Sequence, residues 1–259
     1  MINLIRAEFY RILRSRSFWV TFMVFLALIA AIGLSGLAGS IGVATSETIA
    51  TAESIVKSGS SFQLASLQSG DTLLYFFLAL ITSIIAYDFT GQTAKNVLLR
   101  GTSRTSYYLS KLIVVSIICL AYVLVYSTLP FIIGTLMYGA GVEFETYDYG
   151  RIILAQLPIY LAIISLGVLL AMTVKRTGPI VAIYMASFMV PSLIITFLTQ
   201  VDERFVKLFD YLLDIALRKV AFLTPITNDH LLFSYALGIC AIIGTTALGI
   251  YLFQKSEIK

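Results

Sequence analysis

Six runs of the sequence contain no Asp, Glu, Lys, Arg or His: residues 18–37, 72–87, 112–138, 152–174, 178–199 and 231–253. A bilayer's hydrocarbon core is ~30 Å thick, and an α-helix crosses it with ~20 apolar residues. Within that core every backbone N–H and C=O must be satisfied internally. Continuous apolar runs do this as helices. The expectation is an all-α integral membrane protein with six transmembrane helices. The second run is short and is expected to extend outward through 64–70, with Asp71 near the interface. Composition agrees, at 59% hydrophobic and 12% charged, against about 25% charged in soluble domains. That excludes a soluble enzyme, a nucleic-acid-binding domain and a disordered chain. Six spans in 259 residues leave no room for a second globular domain, so 1–259 reads as one transmembrane domain.

Charge orients the spans. Even spans put both termini on one side. Arg6, Arg11, Arg14, Arg16, Lys95, Arg100, Arg104, Lys111, Lys175, Arg176, Lys255 and Lys259 fall on that side, twelve of the 18 Lys and Arg. With Glu8, Asp88 and Glu257 it nets +9, and the opposite side nets −5. Basic loops stay cytoplasmic, so both termini are expected inside a cell membrane. The charge surplus flanks spans, which argues against a nucleic-acid partner. The first apolar run exceeds the ~7–15 residues of a signal-peptide core, so it is read as an uncleaved span.

Three segments do not span. Residues 1–17 place Ile2, Ile5, Phe9, Ile12 and Leu13 at helical spacing, with Arg6 and Arg14 elsewhere on the wheel. That pattern fits a helix lying in the membrane interface, with Trp19 at headgroup level. Residues 91–101 form a short helix between the second and third spans. Gly91 breaks the span before it, Gly101 ends it, and Thr102 or Ser103 caps the helix that follows. Residues 202–224 carry an apolar stripe from Phe205 to Val220 among charges, an amphipathic helix on the outer face ended by Pro225. Segment 41–70 is Ser/Thr/Ala-rich and outside.

Little here can do chemistry. Cys119 and Cys240 lie inside apolar runs, too few to hold a metal. The single histidine, His230, sits at the end of the last span, with no triad or metal set around it. No catalytic residues, metal site or bound cofactor are expected. Spans without ionisable groups argue against a proton relay. Ala241, Thr245 and Gly249 form a small-residue repeat that allows close helix approach. Pro130, Pro158, Pro179 and Pro191 kink or bound spans. Thr82, Ser83, Tyr122, Tyr126 and Tyr160 are the polar groups available to line a path.

The segment LIRAEFYRILRSRSFWV at 4–20 resembles the elbow helix and first span of ABC-2 type exporter permeases of Gram-positive bacteria. The loop carrying Asp88, Phe89, Gly91, Thr93, Lys95, Leu98, Leu99, Ser103, Arg104, Ser110 and Lys111 resembles that family's coupling-helix region. It departs at Gly101, where a proline is common, and in the spacing around Gly91. The resemblance implies an N-terminal elbow helix, a cytoplasmic coupling helix and an extracellular helix before the last span. It makes Gly91, Thr93, Lys95, Leu98, Leu99, Arg100, Ser103 and Arg104 the residues that dock on the ATPase subunit. It also implies two ATPase chains, which hold ATP and Mg, and a second permease chain. No phosphate-loop motif G-x-x-x-x-G-K-[ST] occurs in this chain. Energy from a separate subunit would account for spans without buried charges. The function expected is export of an amphipathic or antimicrobial peptide, or another hydrophobic compound. A secondary transporter or channel working without an ATPase, and a non-transporting sensor or scaffold subunit, are the alternatives.

Overall fold

The structure, a computed structural model, describes residues 2–35, 58–91, 93–99, 101–141, 146–222 and 226–255. Regular structure among them is entirely helical. Helix α1 (Ile2–Leu13) turns through 63° into α2 (Arg16–Ser35). Ser15 makes the corner. Its backbone N–H donates to the Ile12 carbonyl, and its hydroxyl accepts from the Phe18 N–H at 3.4 Å. The Trp19 indole donates back to the Leu13 carbonyl at 2.8 Å and pins the angle. Ile5, Phe9 and Ile12 of α1 pack on the core, whereas Ile2 and Leu13 stay exposed. In α2, Phe18, Phe22 and Phe25 all meet Tyr122, at 6.4, 5.5 and 4.8 Å between ring centroids.

Helix α3 (Gly59–Gln68) is a departure from expectation. Residues 64–70 do not prolong the second span; 64–68 belong to a separate helix, and Ser69 and Gly70 form the turn before Asp71. A capping box between Ser58 and Ser61 starts it. It lies tight against α7 (Arg104–Tyr138), because Gly59 and Gly134 face each other. A Cβ on Gly134 would sit 2.8 Å from the Gly59 Cα.

The second span is α4 (Thr72–Ile81), a π-helical segment (Thr82–Ala86) and α5 (Tyr87–Thr90). Then come α6 (Thr93–Leu99), α7, α8 (Thr146–Val174), α9 (Thr177–Thr199), a 3-10 helix (Glu203–Tyr211), α10 (Leu213–Phe222) and α11 (Asn228–Lys255). Among the described residues, five helical stretches are long and apolar enough to cross a membrane, or six if the bent α1–α2 pair counts as one span. The chain is an all-α integral membrane protein. The four spans after the second each start before their apolar run. At 35 residues, α7 is about 52 Å long and projects beyond the hydrocarbon core.

Helix α8 is the hub and packs against α4, α7, α10 and α11. The small-residue repeat in α11 works inside the chain. Thr245 shares a 2.7 Å hydrogen bond with Ser165 of α8, and Gly249 makes room for the Tyr108 ring of α7. The segment 202–224 is not one helix. It splits at extended Leu212 into the 3-10 helix and α10. The pattern explains the split: Phe205 and Leu208 are three apart, which suits 3-10 geometry, while Leu213, Leu217 and Val220 alternate by four and three.

Two faces result. One carries α1, α6 and the end of α11, since Phe89 of α5 meets Phe253. We call it the basic face. The opposite face carries the start of α3, the end of α7, the 3-10 helix and α10.

Candidate coupling site on the basic face

Helix α6 is seven residues long, shorter than the 91–101 expected. Gln92 and Arg100 lie outside the described residues. At its start, the Gly91 N–H donates to the Tyr87 carbonyl at 2.9 Å. Gly101 closes it at φ +90°, the left-handed conformation glycine adopts freely. Ser103, not Thr102, caps α7, its hydroxyl accepting from the Ser106 N–H at 3.2 Å. The helix has two sides. Ala94 is buried, and Val97 and Leu98 pack on the core. Lys95 and Leu99, one turn apart, face outward, Leu99 with 77% of its surface exposed. Thr93 is half-buried at the first turn. Lys95, Leu98, Leu99, Thr102, Ser103 and Arg104 line one open groove of about 400 Å³.

Arg104 has a second task. Its guanidinium donates to the Gln254 carbonyl at 2.6 Å and the Phe253 carbonyl at 3.3 Å, capping the end of α11. Phe253 is seated against Phe89, Tyr107 and Tyr108. Lys175, in the turn between α8 and α9, lies 5.8 Å from the Phe89 ring centre. Burial first, and Arg104 second, hold its pKa below the ordinary lysine value.

Under this groove is a buried ionic cluster that the sequence reading missed. Lys111 has no exposed surface, and Asp88 and Glu8 have 1% and 5%. Lys111 pairs with Glu8 at 2.7 Å and with Asp88. Arg11 pairs with Glu8 at 2.7 Å and with the other oxygen of Asp88. The Tyr107 hydroxyl donates to Asp88 at 3.2 Å. Two acids and two bases balance, so none faces low dielectric alone. The expectation of a chain without buried charges is therefore wrong: its ionisable groups lie just beyond the apolar runs, and folding closes helix ends over them. The cluster binds α1, α5 and α7 together directly beside α6.

The sequence profile described as ABC-2 family transporter protein matches residues 4–202, from the elbow through all five first spans. The chain belongs to the ABC-2 family. It is the membrane permease of an ABC transporter, and this family works with an ABC ATPase. Comparison with curated proteins finds no match.

In this permease four of the five other polar residues singled out from sequence, Thr82, Ser83, Tyr126 and Tyr160, bond to backbone carbonyls. Thr82 and Ser83 bond to carbonyls one turn back, at 2.8 Å to Leu78 and 2.9 Å to Leu80, at the start of the π segment. Tyr122 is enclosed among the phenylalanines of α2. The Tyr126 and Tyr160 hydroxyls donate to the carbonyls of Ser69 and Gly70 at the break between α3 and α4, at 3.1 and 3.4 Å, alongside the Thr72 and Leu73 N–H groups. Gln156 spans from the Leu67 carbonyl at 3.1 Å to that of Leu217 in α10 at 3.3 Å. Beside it buried Asp71 pairs with Arg218 of α10. This polar knot joins α3, α4, α7, α8 and α10 toward the opposite face.

Proposed function

We propose that this chain is the membrane-spanning permease of an ATP-driven exporter, moving an amphipathic or antimicrobial peptide, or another hydrophobic compound, out of the cell. It sits in the cell membrane with both termini cytoplasmic, pairs with a second permease chain and docks on two ATPase chains. ATP and Mg belong to those chains, which do the catalysis. The observation that carries the reading is the two-sided α6. Lys95 and Leu99 face outward, while Ala94, Val97 and Leu98 fix the helix to a base tied by the ionic cluster to the elbow and to the second and third spans. A push on α6 is transmitted to those helices. Gly91, Thr93 and Gly101 set its bounds, Ser103 and Arg104 border the docking surface, and Arg100 belongs to the same docking set by its place in the sequence.

The test is Lys95→Glu, Arg100→Glu and Leu99→Asp in the assembled transporter. An acidic group at a docking contact is left unpaired or desolvated, at a cost of about 1–3 kcal/mol. Each variant inserts normally, loses co-purifying ATPase and loses transport-coupled hydrolysis. Wild-type values in all three overturn the assignment. The buried ions favour one rival, a secondary transporter that moves substrate without ATP. The pairing of every carboxylate in the cluster favours a fixed structural charge instead. Substrate uptake or efflux by vesicles holding the permease alone would establish the rival.

A further inference from the structure

On the face opposite α6, the 3-10 helix, α10 and the first turns of α11 enclose a groove of about 340 Å³. That is the size range of small-molecule sites, about 300–1,000 Å³. Its walls differ. Tyr211 and Phe233 meet edge to face at 5.7 Å, and buried Ala216 and Val220 form the apolar floor. Lys207, Asp210, Lys219, His230 and Ser234 complete the lining.

The three donors are not equally committed. Lys219 is held by Asp210 at 2.6 Å. Lys207 makes no ion pair or hydrogen bond among the described residues. Nδ1 of His230 accepts from the Thr227 N–H at 3.4 Å. The Thr227 hydroxyl also lies 2.9 Å from Nδ1, which leaves Nε2 as the ring nitrogen with no partner among the described residues. Two lysines against one carboxylate leave the groove positive, on a face whose residues otherwise net negative by sequence. The groove also lies at the end of a 28-residue apolar helix, the depth where headgroups and aromatic belts meet. Tyr211 and Phe233 are exposed at its mouth, at 60% and 39%.

We infer that this groove binds the phosphate headgroup of an anionic phospholipid. Lys207 and Nε2 of His230 take the phosphate, and Tyr211 and Phe233 cover the first carbons of the acyl chains. The claim is independent of what the permease transports.

The full-length chain, purified and stripped of lipid in detergent, is titrated separately with phosphatidylglycerol, phosphatidylcholine and inorganic phosphate. Bound lipid is counted by native mass spectrometry, and amide exchange is followed in the 3-10 helix and α10. Phosphatidylglycerol binds more tightly than phosphatidylcholine and slows exchange in both elements. Lys207→Gln weakens phosphatidylglycerol about fivefold, the effect of one cation near a lipid surface, and His230→Gln weakens it through loss of the Nε2 contact. Lys207→Arg keeps the affinity, as does Arg204→Gln, which alters an exposed cation outside the groove. Equal binding of the two lipids overturns the inference, and so does wild-type affinity in both glutamine variants. Full protection by inorganic phosphate, with nothing added by lipid, replaces the lipid site with a free-anion site.

Discussion

A lysine with no exposed surface has to meet its counter-charges as the chain closes over it. Lys111 does so with Glu8 and Asp88, from segments far apart in sequence. Lys111→Met strands two carboxylates on Arg11 alone. Removing one partner of a buried ionic group costs about 3–5 kcal/mol, so the melting temperature of the detergent-purified variant falls sharply. Adding Glu8→Gln restores neutrality and recovers more than half of that loss. A double variant no more stable than the single would show that charge balance is not what the cluster supplies. Asp88 stood out in sequence with Lys111 in the loop pattern, and Glu8 within the N-terminal segment, but neither pattern paired them, and by charge both read as acids on a basic side. Their oddness was the signal: an acid that weakens the topology bias needs another reason to be there. Which cation it meets depends on helix packing, which no local pattern encodes. Gly249 was better marked, as one of a small-residue series. A Cβ there would come within 2.1 Å of the Tyr108 hydroxyl oxygen, so Gly249→Ala is overpacked and loses about 1–3 kcal/mol, read as a lower melting temperature.

Among the elements, α6 separates two adjacent leucines. Leu98 packs inward and Leu99 outward. Leu98→Asp therefore lowers the thermal stability of the isolated permease, and Leu99→Asp leaves it unchanged while acting on the proposed ATPase contact. Equal destabilisation by both would mean that α6 is not two-sided. The bounding glycines made α6 legible, and its inner face was not, because seven residues hold too few apolar positions to define a stripe. Helix α10 was legible as amphipathic, but its break from the 3-10 helix was not. Its anchor to Asp71 also joins positions 147 apart in sequence. Arg218→Met leaves Asp71 buried without its cation, and faster amide exchange confined to α10 is the expected readout. Uniform exchange would place the anchor elsewhere.

For the molecule as a whole, the apolar runs read directly as helices, because a bilayer leaves the backbone few other solutions. The separate helix α3 escaped notice: its Ser- and Ala-rich sequence lacks the hydropathy of a span, and it is buried only because α7 offers Gly134. The charge asymmetry makes a global prediction. In intact cells, cysteines placed at Lys57 and Lys207 react with an impermeant thiol reagent, and one placed at Lys95 does so only after lysis. The reverse pattern would invert the protein in its membrane and remove α6 from reach of any cytoplasmic ATPase.

The π segment Thr82–Ala86 has a bearing on how the chain tolerates length changes. A π turn holds one residue more than the α-helix would, and each residue of an α-helix advances the next by about 100°. Excising any one of these five residues would let the helix relax to ordinary α geometry. The extra residue is what the wide turn absorbs, so the helix beyond it would keep its direction and Asp88 its line to Lys111 and Arg11; an added residue, with no further slack to take it up, would swing the carboxylate by about 100°. Mild replacements such as Ser83→Ala would leave that alignment intact. The stretch is thus asymmetric toward length changes: a single deletion there should be tolerated, and a single insertion should be as damaging as losing the aspartate itself.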